Sequence, residues 1–168
     1  TADSDISTSF AAGDINEDGL KEIVFGTTGG ILYAINSMGA PHCVYNQDLS
    51  IIDVPVLCDL DQDNDLEIIF IAGNDTTSIL YAIHDNGDDV PGFPLNLPEN
   101  VIVGPSLADI DNDMLVDIVI STSQSNIYII NSEGVLSEDF SITVSSGFTS
   151  QTSIVDLDGG KQVGEYSG

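Results

Sequence analysis

The chain has 168 residues, a hydrophobic content of 42% and a formal net charge of −26. That apolar content excludes a disordered acidic tail, and the length suits one domain with a real core. Two basic residues, Lys21 and Lys161, against 28 acidic ones exclude a surface that recruits nucleic acid or anionic membranes through Lys and Arg, and no apolar run approaches the ~18 residues of a membrane span.

The opening Thr1-Ala2-Asp3-Ser4-Asp5 has neither the basic stretch nor the apolar core of a signal peptide. A mature chain or a fragment is expected. A run of small and apolar residues follows, Phe10-Ala11-Ala12-Gly13. It leads into an acidic loop from Asp14 to Glu22, then Ile23-Val24-Phe25, then a strand with Leu32-Tyr33-Ala34-Ile35. That strand ends in the turn Asn36-Ser37-Met38-Gly39, and a weaker strand can follow around Cys43–Tyr45.

The order then repeats. Val54-Pro55-Val56-Leu57-Cys58 precedes a loop from Asp59 to Glu67. Ile68-Ile69-Phe70-Ile71 comes next, then Leu80-Tyr81-Ala82-Ile83, the turn His84-Asp85-Asn86-Gly87 and a weak strand at Phe93–Leu95. It repeats again: Gly104-Pro105-Ser106-Leu107-Ala108, a loop from Asp109 to Asp117, and Ile118-Val119-Ile120. Ile127-Tyr128-Ile129-Ile130 follows, then Asn131-Ser132-Glu133-Gly134 and a weak strand at Phe140–Val144. A fourth partial copy has Thr152-Ser153-Ile154-Val155 before Asp156-Leu157-Asp158-Gly159-Gly160. Loop starts lie 45, 50 and 47 residues apart. β-branched and aromatic runs punctuated by Gly, Asn and Asp predict strands near 7–13, 22–27, 31–36, 53–58, 67–72, 79–84, 103–108, 117–122, 126–131 and 149–155. Four short strands per unit of this period predict an all-β chain of propeller blades. The expected units are blade 1 at about 6–48, blade 2 at about 52–98, blade 3 at about 102–145 and a partial blade 4 at about 149–168.

The three loops carry 13 of the acidic residues. Oxygen side chains recur at loop positions 1, 3, 5 and 9: Asp14, Asn16, Asp18 and Glu22; Asp59, Asp61, Asp63 and Glu67; Asp109, Asp111, Asp113 and Asp117. Alternate residues of a tight loop can face one centre, and Ca²⁺ takes about six to eight oxygens. Three such ions would bring the formal charge from −26 to −20. The expected role is structural, each ion neutralising crowded carboxylates and pinning a hairpin.

The loops, the apolar run after each and the strand bearing Tyr together resemble the FG-GAP and VCBS families of calcium-binding β-propeller repeats, found in integrin α-subunit heads and many secreted bacterial proteins. Glu22-Ile23-Val24-Phe25-Gly26 is the segment most similar to the name-giving motif. The resemblance spans nearly the whole chain. It implies that each loop joins the first two strands of a blade. It also implies that position 7 adds a backbone carbonyl, from Leu20, Asp65 and Leu115. Two or three Ca²⁺ ions are expected. Loop 1 has Gly19 at the sharp sixth position, loop 2 has Asn64 and loop 3 has Met114, which ranks loop 3 last in affinity. The fourth loop keeps Asp156 and Asp158 but has Gly160 and Lys161 after them, so it is expected to be empty or weak.

The other candidates read more plainly. Tyr33, Tyr81 and Tyr128 recur in register and are expected in the blade core with hydrogen-bonded hydroxyls. His42 and His84 are the only histidines, with His84 at a turn position that Asn36 and Asn131 hold elsewhere. No catalytic arrangement is indicated, and an enzyme is not expected from this chain. Val90-Pro91-Gly92-Phe93-Pro94-Leu95 is expected to be a rigid connector. Asn74-Asp75-Thr76 matches a glycosylation sequon on a hairpin tip. Cys43 and Cys58 are compatible with a disulfide in an oxidising compartment or with two buried thiols.

Three functional readings stand, the first of them implied by the resemblance. One is an extracellular or cell-surface module for adhesion, or for binding a protein or glycan. The second is an accessory part of a secreted enzyme such as a polysaccharide lyase or peptidase. The third is a structural subunit of an extracellular assembly. Three blades and the start of a fourth are fewer than a closed propeller needs. Further blades of the same chain, or self-association through open blade edges, are therefore expected.

Overall fold

The computed structural model describes residues 4–137 together with the backbone of residues 142 and 143. Among the described residues twelve strands form three four-stranded antiparallel sheets, each a simple meander. The first sheet joins β1 (Ala11–Gly13), β2 (Glu22–Gly26), β3 (Ile31–Ile35) and β4 (Pro41–Asn46). The second joins β5 (Ser50–Cys58), β6 (Glu67–Gly73), β7 (Ser78–Ile83) and β8 (Leu95–Asn96). The third joins β9 (Ser106–Ala108), β10 (Asp117–Ser121), β11 (Asn126–Ile130) and β12 (Ile142–Thr143). No helix occurs among the described residues. The strand expected at 149–155, the fourth loop and most of the segment at 140–144 lie outside the described residues.

The register shows why the second and third strands of each unit are apolar throughout. Successive side chains of a strand face opposite sides of its sheet. In the first sheet, Ala11, Val24, Ala34 and Cys43 align across all four strands and face the second sheet. There they meet Ile68, Phe70, Ala72, Tyr81 and Ile83. The opposite face of the second sheet presents Ile69, Ile71, Leu80 and Ala82 to Ile118, Ile120 and Ile130 of the third. Every residue of β6 is therefore buried. Each large apolar side chain sealed in this way contributes roughly 1.5–3 kcal/mol.

The sheets approach closely where side chains are missing. A Cβ on Gly26 would collide with Ile51 of the next sheet. Gly92 has φ +98°, and a Cβ there would run into the Glu133 carbonyl of the third sheet's turn. The Pro-Gly-Phe-Pro connector thus does more than link strands. Val90 and Phe93 are buried in the second core, with the Phe93 N–H donating to the Val90 carbonyl at 3.0 Å. The three turns with Gly at their fourth position adopt one geometry, with φ of +75° at Gly39, +86° at Gly87 and +75° at Gly134.

Polar latches join the blades. Asp53 sits at a β-bulge in β5 with φ +57°, and its carboxylate accepts from Val54 N at 2.8 Å and from Gly104 N at 2.8 Å. Glu99 accepts from Asn126 Nδ2 at 2.7 Å, from Tyr128 Oη at 2.9 Å and from the Thr122 hydroxyl. Burial alone would raise its carboxyl, but these three donors bring it below its ordinary value. Tyr81 Oη donates to Gln47 Oε1 at 3.3 Å while its ring stacks on Phe70, and Tyr33 stacks on Phe25. Cys43 and Cys58 are free thiols; burial raises Cys43 and pushes Cys58 up to about 12.

Candidate metal centres

Each acidic loop joins the first two strands of a sheet, at the same end of its blade. Its wiring is common to all three copies. The N–H at position 6 donates to the carboxylate at position 1: Gly19 to Asp14 at 2.9 Å, Asn64 to Asp59 at 3.2 Å and Met114 to Asp109 at 3.0 Å. The N–H at position 7 donates to the carboxylate at position 5: Leu20 to Asp18 at 2.7 Å, Asp65 to Asp63 at 3.1 Å and Leu115 to Asp113 at 2.8 Å. The N–H at position 2 donates to one oxygen of the ninth residue: Ile15 to Glu22 at 3.3 Å, Leu60 to Glu67 at 2.6 Å and Ile110 to Asp117 at 2.8 Å.

This coiling needs left-handed backbone at two positions. The sixth, foreseen from the sequence, has φ +83° at Gly19, +81° at Asn64 and +72° at Met114. The fourth was not foreseen; Glu17, Gln62 and Asn112 have φ of +56°, +64° and +63°. Its residue types carry no shared signal for that conformation.

The loops differ in how far their carboxylates converge. In loop 2, oxygens of Asp61, Asp63, Asp65 and Glu67 all come within 4.8 Å of one another. Asp65, expected to offer its carbonyl, brings its carboxylate into this group, while Asp59 lies outside it. In loop 3 the group is Asp109, Asp111 and Asp117, with Asp113 outside. Loop 1 shares the wiring, with the Asp18 N–H donating to both Asp14 and Asn16 at 3.1 Å, but its three carboxylates Asp14, Asp18 and Glu22 do not converge into such a group.

Among the described residues four buried carboxylate oxygens find no hydrogen-bond donor: Glu22 Oε1, Asp59 Oδ1, Glu67 Oε1 and Asp65 Oδ1. Glu22 and Glu67 are both fully buried. An orphaned buried carboxylate oxygen costs several kcal/mol unless something positive meets it. The electrostatics carry the same strain. Burial, opposed by the Leu60 N–H and reinforced by Asp61 and Asp65, pushes Glu67 up to about 7. Burial also raises Asp117. Asp65 is raised by sharing a proton with Asp63, and Asp63 is lowered in turn. The donor set is all oxygen, several carboxylates deep and short of positive charge. It fits a divalent cation.

Both histidines lie beside these loops, which sequence reasoning missed. His84 Nδ1 is 3.3 Å from Glu67 Oε1. His42 bridges two blades, with Nε2 3.1 Å from Asp85 Oδ2 and Nδ1 3.5 Å from Asn16 Nδ2. Gln62 Nε2 of loop 2 donates to the Met114 carbonyl of loop 3 at 3.2 Å.

No family model and no curated protein matches the chain. Among solved structures it is similar to BamB from Moraxella catarrhalis, at 17% identity and a TM-score of 0.58, over 85% of this chain and 38% of BamB. The V. cholerae biofilm matrix protein Bap1 aligns with 81% of this chain and 28% of its own length, at 16% identity and a TM-score of 0.42. The chain therefore spans little more than a third of BamB. BamB is a β-propeller, so the likeness bears on fold and not on task. Meandering four-stranded sheets packed face to face, together with this likeness, identify the architecture as that of a β-propeller.

Proposed function

We propose that the chain is a non-catalytic, calcium-stabilised stretch of an extracellular β-propeller that presents its surface to a protein or glycan. The observation that carries the metal reading is the set of orphaned buried carboxylate oxygens in loops 1 and 2. Ca²⁺ suits an all-oxygen, irregular set better than Mg²⁺, which demands a near-ideal octahedron. Loop 1 would offer Asp14, Asn16, Asp18, Glu22 and the Leu20 carbonyl. Loop 2 would offer Asp61, Asp63, Asp65 and Glu67, with the unpartnered Asp59 Oδ1 beside them, and loop 3 would offer Asp109, Asp111 and Asp117. When bound, the ion neutralises like charges and fixes the turn between the first two strands. The extracellular location and the binding task itself both rest on the resemblance to FG-GAP and VCBS repeats.

Excess chelator is expected to lower the melting temperature, since an ion bound only by the folded state stabilises it by mass action. Adding Ca²⁺ back should restore it. An unchanged melting temperature in chelator would overturn the structural-calcium reading.

A second reading concerns assembly. Ile23, Val44 and Phe10 on the outer face of the first sheet are 39%, 50% and 60% exposed, whereas Ile68, the counterpart of Ile23 in the second sheet, is fully covered. That face is built like one that receives a neighbouring blade. Further blades of the same polypeptide fit it best.

A further inference from the structure

The turn that closes the third strand of each unit is built alike in the backbone. Residue 1 donates to the carbonyl of residue 5, and residue 4 donates to residue 1: Asn36, His84 and Asn131 with their partners, all at 2.8–3.0 Å. The side chain at residue 1 differs. Asn36 Oδ1 accepts from Met38 N and Ala40 N, each at 3.0 Å. Asn131 Oδ1 accepts from Glu133 N at 3.1 Å and Val135 N at 2.8 Å. In the second unit the turn takes a cap from Asn86 instead, whose Oδ1 accepts from Asp88 N at 2.8 Å. His84 is released from the turn. Its ring lies against loop 2, with Nδ1 3.3 Å from the Glu67 oxygen that has no hydrogen-bond donor.

Glu67 is fully buried, and its other oxygen is already held by the Leu60 N–H at 2.6 Å. One oxygen tied to the backbone and one facing an imidazole leave the carboxylate a single orientation. His84 stands outside the four-carboxylate group, so its part is to hold a ligand and not to be one.

We infer that His84 is a positioning residue for the cation of loop 2: its Nδ1 lies 3.3 Å from Glu67 Oε1 without making a hydrogen bond, and in the tautomer protonated at Nδ1 a small turn of the ring makes that bond and orients the carboxylate toward the ion. Among the described residues loops 1 and 3 have no such support, because Asn36 and Asn131 spend their side chains on the turn. Loop 2 is therefore the tightest of the three. The inference rests on the metal reading above.

Removing an outer partner of a ligand typically costs about 10- to 100-fold in metal affinity. The test is a Ca²⁺ titration of the full chain and of His84→Asn, following the backbone amides of Gly19, Asn64 and Met114 by NMR. Asn is the residue that both other turns carry, so the fold is retained. The midpoint at Asn64 should rise about tenfold in His84→Asn while that at Gly19 holds. His84→Gln keeps a donor and should recover much of the loss. An unchanged Asn64 midpoint, an equal loss at all three loops, or a change in ion-free melting temperature alone would overturn the inference. Failure of the wild-type Asn64 amide to respond to Ca²⁺ would overturn the metal reading at loop 2 itself, an outcome distinct from the variant result.

Discussion

At the scale of the residue, Met114 shows a functional geometry kept against local preference. The loop needs φ > 0 at its sixth position, and Met114 takes φ +72° with 83% of its surface exposed. A left-handed residue with a Cβ costs about 1–2 kcal/mol, and an exposed side chain returns nothing by packing. Glycine removes that strain but loses more chain entropy on folding, about 0.5–1 kcal/mol. Met114→Gly should therefore stabilise the protein by up to about 1 kcal/mol and tighten loop 3, as thermal melts with and without Ca²⁺ can check. Lower stability would mean that the Gln62 bond to the Met114 carbonyl depends on the side chain that Gly removes. His84 is the opposite case. Its position in the repeat was legible, but the sequence offered only a turn residue. The contact with Glu67 exists because two segments 17 residues apart come together at one end of a blade.

At the scale of the element, the sheets explain the composition of the strands. A strand buried on one face alternates; β6 does not, because both of its faces meet another sheet. Ile71 is fully buried between the second and third sheets, while Ile23 in the first is 39% exposed. Ile71→Ala should cost about 2–5 kcal/mol, and Ile23→Ala clearly less, by chemical denaturation. Comparable losses would mean that Ile23 is covered in solution. The predicted strands fall close to the observed ones, with β1 and β9 shorter than expected and β4 and β5 longer. β5 begins at Ser50 because the bulge around Asp53 lets pairing with β6 continue past Pro55. Bulges leave no reliable pattern in one sequence, since the extra residues stay out of the ladder and no local period marks them.

For the whole molecule, the issue is what covers the outer face of the first sheet. Phe10, Ile23 and Val44 are exposed there, around Phe25 and Tyr33. Apolar groups left in water and unpaired strand edges favour association. The isolated 168-residue chain should associate at micromolar concentration, and Val44→Lys should reduce that association. Light scattering decides it; a monodisperse wild-type monomer with a cooperative melt would mean that the face is sealed by the chain itself.

The sequence alone determined the repeat, the strand types, the acidic loops and the left-handed sixth position, because each depends on residues close together in the chain. Periodicity sets which face of a strand is apolar, and short-range spacing sets which oxygens a loop can turn inward. The tertiary structure decided which carboxylates converge, which oxygens are left without donors, and that His84 faces Glu67 while Asp53 and Glu99 latch one blade to the next. Those outcomes depend on how the sheets approach each other and on what burial does to charge, and neither is written in local order along the chain.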